Sequence, residues 1–354
     1  MRRGLTLVLL LALVAVPAQA ADWTDVLRPT GELQVRSALS LAQYEALGLS
    51  DLRSSDVFVY RAALGLAADY EGRLSGLVQL FYEEGRNEPL DLEQAWIKLR
   101  YRGPFVSFGR MYLPYGGLRT FGVEDPIVHR MTRSRRTAAF VGWQCRYVDF
   151  AAGAFNGEID DVDQNDDLID TISAGLAVRP LAMFEGLDLE LGGYYLSDAL
   201  EVDEFFQGLV DPRNAPYDKQ VPGYGGFIWG RVDPLNILGI GFGAQYVTTG
   251  EFDERDYLDA KGEKTAVWAL DAELALFVFN SLRIGGRYET IEGWDFLQAA
   301  GPPDVSPTGY RRYGGFIGAS AFHDQLDVAL EYLAGEDFSG DRTGLAQFNV
   351  KLTF

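Results

Sequence analysis

The sequence predicts an all-β fold: a transmembrane antiparallel β-barrel of about sixteen strands, with short turns at one end and long loops at the other. Three observations predict it. Segments of about ten residues alternate apolar with small or polar residues, the links between them alternate short with long, and aromatic residues recur at both ends on the apolar parity. Composition agrees, because 40 glycines without a collagen period suit many tight turns. A single cysteine excludes a disulfide scaffold and a Cys-based zinc site. The formal charge of −20 argues against a nucleic-acid partner, whose phosphates need a basic surface.

The first twenty residues stand outside the fold. Arg2 and Arg3, the apolar run Leu5 to Val16 and the small-x-small site Ala18-Gln19-Ala20 read as a secretory signal peptide over 1–20. That leaves 21–354 as one barrel domain. No later stretch reaches the roughly 18 consecutive apolar residues of a spanning helix. An exported chain with barrel patterning is expected in the outer membrane of a Gram-negative bacterium.

The alternating segments start near residues 32, 56, 72, 92, 104, 136, 147, 170, 187, 222, 237, 264, 281, 310, 325 and 345. In the first, Leu33, Val35, Leu39 and Leu41 alternate with Glu32, Gln34, Arg36 and Ser40. The second is expected to place Phe58, Tyr60, Ala62, Leu64 and Leu66 on the apolar face, against Arg61, Gly65 and Asp69. The last alternates Ala346, Phe348, Val350, Leu352 and Phe354 with Gln347, Asn349, Lys351 and Thr353. The count is even, as bacterial single-chain barrels require.

Short links fall at Glu71-Gly72, 102–104, Arg146-Tyr147, 180–186, 233–236, Asn280-Ser281 and His323-Asp324. Long links fall between them, at 42–55, 84–91, 111–135, 157–169, 198–221, 249–263, 290–309 and 333–344. Short periplasmic turns with long extracellular loops are the outer-membrane arrangement. Tyr82, Tyr195, Tyr246, Tyr288 and Tyr332 end strands at the long-loop side, and Tyr70, Tyr101 and Phe354 mark the other rim. Amphipathic rings at two levels are expected to lie at the two headgroup layers.

The opposite parity carries charge. Basic residues expected to face inward are Arg36, Arg61, Arg73, Lys98, Arg100, Arg179, Arg231, Arg283, Arg287 and Lys351. Acidic ones are Glu32, Asp69, Glu83, Asp149, Asp188, Glu190, Asp271, Glu273, Glu289, Asp327 and Glu331. So many ionisable groups in a dry core would cost heavily in desolvation, which implies a wet lumen. The alternative is a network of paired charges that plugs the barrel. Trp96, Phe81, Tyr194, Phe227 and Trp229 also face inward, as wall filling or as stacking surfaces for sugar rings.

The loops are acidic with one exception. The run 157–169 holds six acids and no base. It lacks the glycine and terminal glutamate of an EF-hand, so it reads as a solvated loop rather than a metal site. No metal or cofactor is expected. The third long link, 111–135 with its flanks, is basic instead: Arg110, Arg119, His129, Arg130, Arg133, Arg135 and Arg136 stand against Glu124 and Asp125. Two readings follow. The arginines attract anionic solutes at a constriction, as planar charged forks do, or they tether the loop to acids of the wall.

The stretch Phe108 to Gly117 (FGRMYLPYGG), with Asp125-Pro126, Arg136 to Gly142 (RTAAFVG) and Ala154 to Gly157 (AFNG), resembles a pattern of the siderophore-porin family typified by the legiobactin receptor. The resemblance covers about fifty residues, with the phosphate-selective porins more distant. It implies a barrel, a channel role and siderophore uptake. By resemblance to general porins, the third loop folds inward and narrows the pore. The pattern carries no ligand residues onto this sequence. Acidic residues usual after the Asp-Pro are replaced here by His129, Arg130 and Arg133.

The reading that results is a water-filled channel for passive or weakly selective uptake of small hydrophilic solutes, anions and siderophores among them. Its expected partners are membrane lipid, lipopolysaccharide and the solute, and a homotrimer is an admissible assembly. The alternatives are a barrel-embedded hydrolase and a plugged structural barrel. A hydrolase is poorly served, since His129 and His323 fall at opposite rims and no Gly-x-Ser-x-Gly elbow occurs.

Overall fold

The computed structural model describes residues 26–43, 52–84, 90–117, 119–157, 169, 171–199, 202, 220–234, 237–253, 264–293, 311–322, 325–336 and 342–354. The expected signal peptide 1–20, residues 158–168 of the acidic run, His323 and the middles of several long links lie outside the described residues.

Sixteen strands close one antiparallel barrel: β1 Leu27–Gln43, β2 Leu52–Tyr70, β3 Leu74–Tyr82, β4 Leu90–Arg100, β5 Pro104–Tyr112, β6 Arg135–Gln144, β7 Val148–Phe155, β8 Thr171–Val178, β9 Leu187–Leu196, β10 Gly223–Val232, β11 Leu238–Thr249, β14 Trp268–Val278, β15 Leu282–Glu292, β16 Arg311–Ala321, β17 Leu326–Glu336 and β18 Arg342–Thr353. Each barrel strand pairs with the next barrel strand in sequence, and β1 pairs with β18 to close the ring. Closure removes the edges that would otherwise expose unpaired amides to lipid. The segment expected near 264 is split. Phe252–Asp253 (β12) and Lys264–Thr265 (β13) form a small separate ribbon, and the barrel strand starts only at Trp268.

Phe354 takes part in the closure. It exchanges backbone hydrogen bonds with Gly31 at 2.8 and 3.0 Å, and its ring occupies the place where a Cβ on residue 31 would stand, 2.2 Å away. Glycine there lets the terminal aromatic lie flat on the seam. At the opposite-parity turns, Glu71 and Gly72, and Phe279 and Asn280, take left-handed φ values of 51° to 62°. Such values reverse the chain with the twist of the flanking strands.

The two faces separate as the alternation predicts. Leu64, Leu66, Leu274, Leu276, Leu330 and Phe348 are exposed on the outside. All eight rim aromatics, Tyr70, Tyr82, Tyr101, Tyr195, Tyr246, Tyr288, Tyr332 and Phe354, are exposed there too. Inside, Arg36, Glu93, Asp271, Glu273, Arg287, Glu289, Arg312 and Glu331 are buried.

Two bulges change the expected parity. The β1–β2 register steps from Gln34↔Arg61 to Val35↔Val59, skipping Tyr60. The extra residue inverts the strand above it, so Phe58 and Tyr60 turn inward, contrary to the expected outer face, and Val57 points out at 70% exposure. On β4 the register steps past Glu93, which is driven fully inside to pair with Arg61. Arg73 also departs from expectation. It lies in the β2–β3 turn, 71% exposed and 3.8 Å from Glu71, rather than in the lumen.

Candidate functional site: an inward loop and the passage beside it

The link between β5 and β6 folds into the barrel. Its neck is closed by the Leu113 amide donating to the Ser134 carbonyl at 3.0 Å. Proline and glycines at 114–117 end the strand. Gly116 has φ +102°, and a Cβ there would press on the Thr132 side chain at 2.3 Å, so the outgoing and returning limbs touch only because residue 116 is glycine. Pro126 precedes a short helix, α1 Ile127–Thr132. Ile127, Val128 and Met131 of α1 are buried in a cluster with Val247, Val267, Ala269 and Ile291 of the wall and its loops. Each such side chain contributes about 1.5–3 kcal/mol. Phe121 completes the apolar contact, stacked on Trp229 at 4.2 Å.

Wall charges hold the backbone of this loop. Three carboxylates on β14, β15 and β17 receive amides: Glu273 from Phe121 (2.6 Å), Glu331 from Val123 (3.0 Å) and Glu124 (2.7 Å), and Glu289 from Ile127 (3.1 Å). Three arginines donate to its carbonyls: Arg36 to Val123 (2.9 Å), Arg283 to Phe121 (2.9 Å) and Arg287 to Glu124 (2.7 Å). Arg287 is the hub. Its guanidinium lies 3.3 Å from Glu273, 2.7 Å from Glu289 and 2.9 Å from Glu331, with no exposure. Arg312 adds a second cation to Glu289 at 2.6 Å.

The loop's own acids are anchored as well. Glu124 meets Arg36 at 2.9 Å, Gln347 at 2.9 Å and Arg130. Burial pushes its carboxyl up, but Arg130, Arg36, Arg312 and the Gln347 hydrogen bond outweigh that and hold it at about 2. Asp125 is likewise held below the usual range: Arg133 and His129 more than offset its burial. Tyr60, the bulge residue, donates to Asp125 at 3.2 Å while Arg36 lies over its ring.

The basic groups expected at a constriction are therefore spread over several tasks. Arg130 pairs with Glu124 and Arg133 with Asp125, both within the loop. Arg110 and Arg135 approach Asp91 on β4 at 3.4 and 4.0 Å. Arg136 donates to the Arg135 carbonyl. His129 is buried against Gln245 at 2.9 Å, and burial holds its imidazole below its ordinary value. Arg119 alone of the seven is exposed, reaching Glu190 at 3.3 Å. Glu93 and Thr120 were not singled out by the sequence pattern, and Tyr60 was expected on the outer face. Glu93-Gln94, two consecutive polar residues that break an alternation, is the one local sign of a bulge.

Beside the loop runs an open cavity of about 330 Å³ against β4 to β11. The loop contributes Pro114, Gly116, Gly117 and Arg119 to it. The wall contributes the charged and amide groups Lys98, Gln144, Asp149, Glu190 and Gln245, with rings of Phe105, Tyr194, Phe227 and Trp229 between them. Arg179 bridges Asp149 and Glu190 at 2.6 Å each. Asp188 lies toward the turn end of the same face of β9, in register with Arg231, which is itself 3.0 Å from Asp233. The loop is held mainly by charges of β14, β15, β17 and β1, also touches β9 to β11 through Arg119, Phe121 and His129, and leaves the cavity between itself and β4–β11.

One wall group is out of balance. Asp271 is fully buried, and neither of its oxygens has a hydrogen-bond partner among the described residues. Its register neighbours are Gln245 and Glu289. A buried charge without a partner opposes folding. Asp271→Asn is expected to keep or raise the temperature at which the barrel loses its fast-migrating folded band on SDS gels. A clear drop would show that the carboxylate is needed there.

No protein-family model matches the chain, and no curated protein matches it. Solved structures do. Pseudomonas putida OprB, in its high-pH structure, superposes with a TM-score of 0.56 at 15% identity, covering 94% of this chain and 95% of that one. An anion-selective porin from Comamonas acidovorans gives 0.56 at 11% identity, covering 93% and 99%. Salmonella typhi OmpF, in complex with daunomycin, gives 0.55 at 13% identity, covering 93% and 97%. At these identities the likeness is one of architecture: the chain folds as a closed sixteen-strand barrel of the kind found in outer-membrane porins.

Proposed function

We propose that this protein is an outer-membrane channel that admits small hydrophilic solutes by passive diffusion, with a preference for anions. The observation that carries the reading is the cavity of about 330 Å³ left between the inward loop and β4–β11, where Lys98, Arg119, Gln144, Asp149, Glu190 and Gln245 stand among apolar and aromatic side chains, inside a barrel whose outside is apolar. A lipid-facing belt with two aromatic rims supports a barrel that crosses a membrane. A cavity of this size inside the barrel supports a route for water and small solutes.

Charge in the passage supports the anion preference. Lys98 and Arg119 line it with Asp149 and Glu190, and Arg179 pairs with both of those carboxylates at 2.6 Å, so the balance there is less acidic than that of the whole chain. In this reading the preference belongs to Arg119 and the β4 cations rather than to Arg133 and Arg135, whose partners are Asp125, Tyr112 and Asp91. Anionic iron chelates, the solutes implied by the siderophore-porin resemblance, are one member of the class. Purified protein in a planar bilayer is expected to give stepwise, ohmic currents without added cofactor. Its reversal potential in a salt gradient should lie on the anion side. Complete absence of current would favour a plugged structural barrel instead.

A further inference from the structure

Nearly every inward-facing basic residue of this barrel has a carboxylate within ion-pair distance. Arg36, Arg61, Arg179, Arg283, Arg287 and Lys351 are all paired. Two neighbours on one face of β4 are different. Lys98 donates to the Gln144 amide oxygen at 2.8 Å and lies 4.0 Å above the Phe105 ring. Arg100 reaches the same oxygen at 3.5 Å and donates its Nε to the Gly72 carbonyl at 3.0 Å. Among the described residues neither is paired with a carboxylate.

In a protein with twenty more acids than bases, this is a local excess of positive charge. The nearest acid by register is Asp149, opposite Gln144 on β7, and it is held by Arg179 at 2.6 Å. Two like charges converging on one neutral acceptor repel each other, and in a confined lumen water screens them less than in bulk. An oxyanion between them would relieve that repulsion and accept from both: the guanidinium offers a planar fork and the ammonium a freely turning donor. Lys98 and Gln144 line the open passage, so such an anion has access. Both cations stand near the short-turn end of β4, past the docked loop from the long-loop side.

We propose that Lys98, Arg100 and Gln144 form a binding subsite for a carboxylate or phosphate group of a permeating solute, at the turn-side end of the passage. The proposal rests on the reading of the passage as conducting. The subsite draws anions past the loop, and it sets the preference that the loop arginines were expected to set.

The test compares wild type with Lys98→Gln, Arg100→Gln and the double variant, with Lys98→Arg as the charge-preserving control. Folding is checked by heat-shift on SDS gels. In a tenfold KCl gradient the double variant is expected to lose at least half of the anion-over-cation permeability ratio while conductance persists. Block of the chloride current by inorganic phosphate or by acetate is expected to need at least fivefold more anion, and whichever blocks wild type at lower concentration identifies the preferred group. Lys98→Arg, which keeps the charge, should retain more of the anion preference and of the block than Lys98→Gln. An unchanged ratio and unchanged block, with current intact, would overturn the subsite alone. Absence of current from wild type would overturn the channel reading instead, and calorimetric titration of detergent-solubilised protein with phosphate and acetate would then decide the subsite. Saturable binding lost in the double variant supports it, and none in wild type overturns it.

Discussion

Arg287→Ala is expected to unseat the inward loop and destabilise the barrel more than any other single change in its wall. The substitution leaves Glu273, Glu289 and Glu331, all buried, without the cation that lies within 3.3 Å of each. Arg312 still reaches Glu289, whereas Glu331 keeps, among the described residues, the loop amides of Val123 and Glu124. Breaking a buried charge network by removing one partner costs about 3–5 kcal/mol. The same deletion removes the donor to the Glu124 carbonyl. The expected readouts are a lower unfolding temperature on SDS gels and, in the fraction that folds, larger and noisier single-channel currents. Wild-type stability together with wild-type conductance would mean that the apolar contacts of Phe121 and α1 hold the loop by themselves. Glu331→Gln, which keeps an acceptor for the two amides but loses the charge, should have a smaller effect in the same direction.

Acid is expected to release the loop in a transition governed by Glu124. The folded carboxyl is held at about 2, against an ordinary 4.5, so the unfolded chain takes up the proton first as pH falls. The stabilisation from this group is therefore complete above about pH 4.5, declines below it and is gone once the pH has passed through about 2. A displacement of that size corresponds to about 3 kcal/mol, an order-of-magnitude figure. Asp125 contributes with the same sign. His129 acts earlier on the pH scale. Its buried imidazole stays neutral below the ordinary 6.5, so stability begins to fall as pH drops through that value. Conductance recorded from pH 7 down to pH 2 should stay near its neutral value above about pH 4.5 and rise between 4.5 and 2. Glu124→Gln should abolish that lower step and raise the neutral-pH current. Identical pH profiles for wild type and Glu124→Gln would remove Glu124 from the account.

Much of the barrel is legible in the chain because its cause is local. Leu326, Val328, Leu330 and Tyr332 fall on one side of a strand whatever their neighbours are, since successive side chains of a pleated strand point opposite ways. The short turns are legible for the same reason, although the Asn280-Ser281 turn takes its left-handed φ values at Phe279 and Asn280. Bulges are less legible. Tyr60 reads as outward by period two, and it turns inward because a skipped pairing opposite Gln34 and Val35 inverts the strand.

The loop was legible in position and in charge, but not in bonding. Its arginines look like the groups that meet the acidic wall. In the folded chain Arg119 meets Glu190 and Arg110 and Arg135 approach Asp91, but Glu273, Glu289 and Glu331 are already paired with Arg287 or Arg312 and take loop amides instead. Backbone amides leave no trace in composition. Nor does the isolation of Lys98 and Arg100, which is a property of what lies across the lumen.

Strand alternation and link lengths are enough to give a closed even-stranded barrel, its apolar outside, its aromatic rims and the long link that carries the basic cluster. Which charges are paired, where the loop docks and which cations lack a carboxylate partner follow from the folded barrel. The physical reason is range. Alternation is set by adjacent peptide units, while ion pairing depends on residues such as Arg36 and Glu124, which lie far apart in the chain and meet only when the cylinder closes.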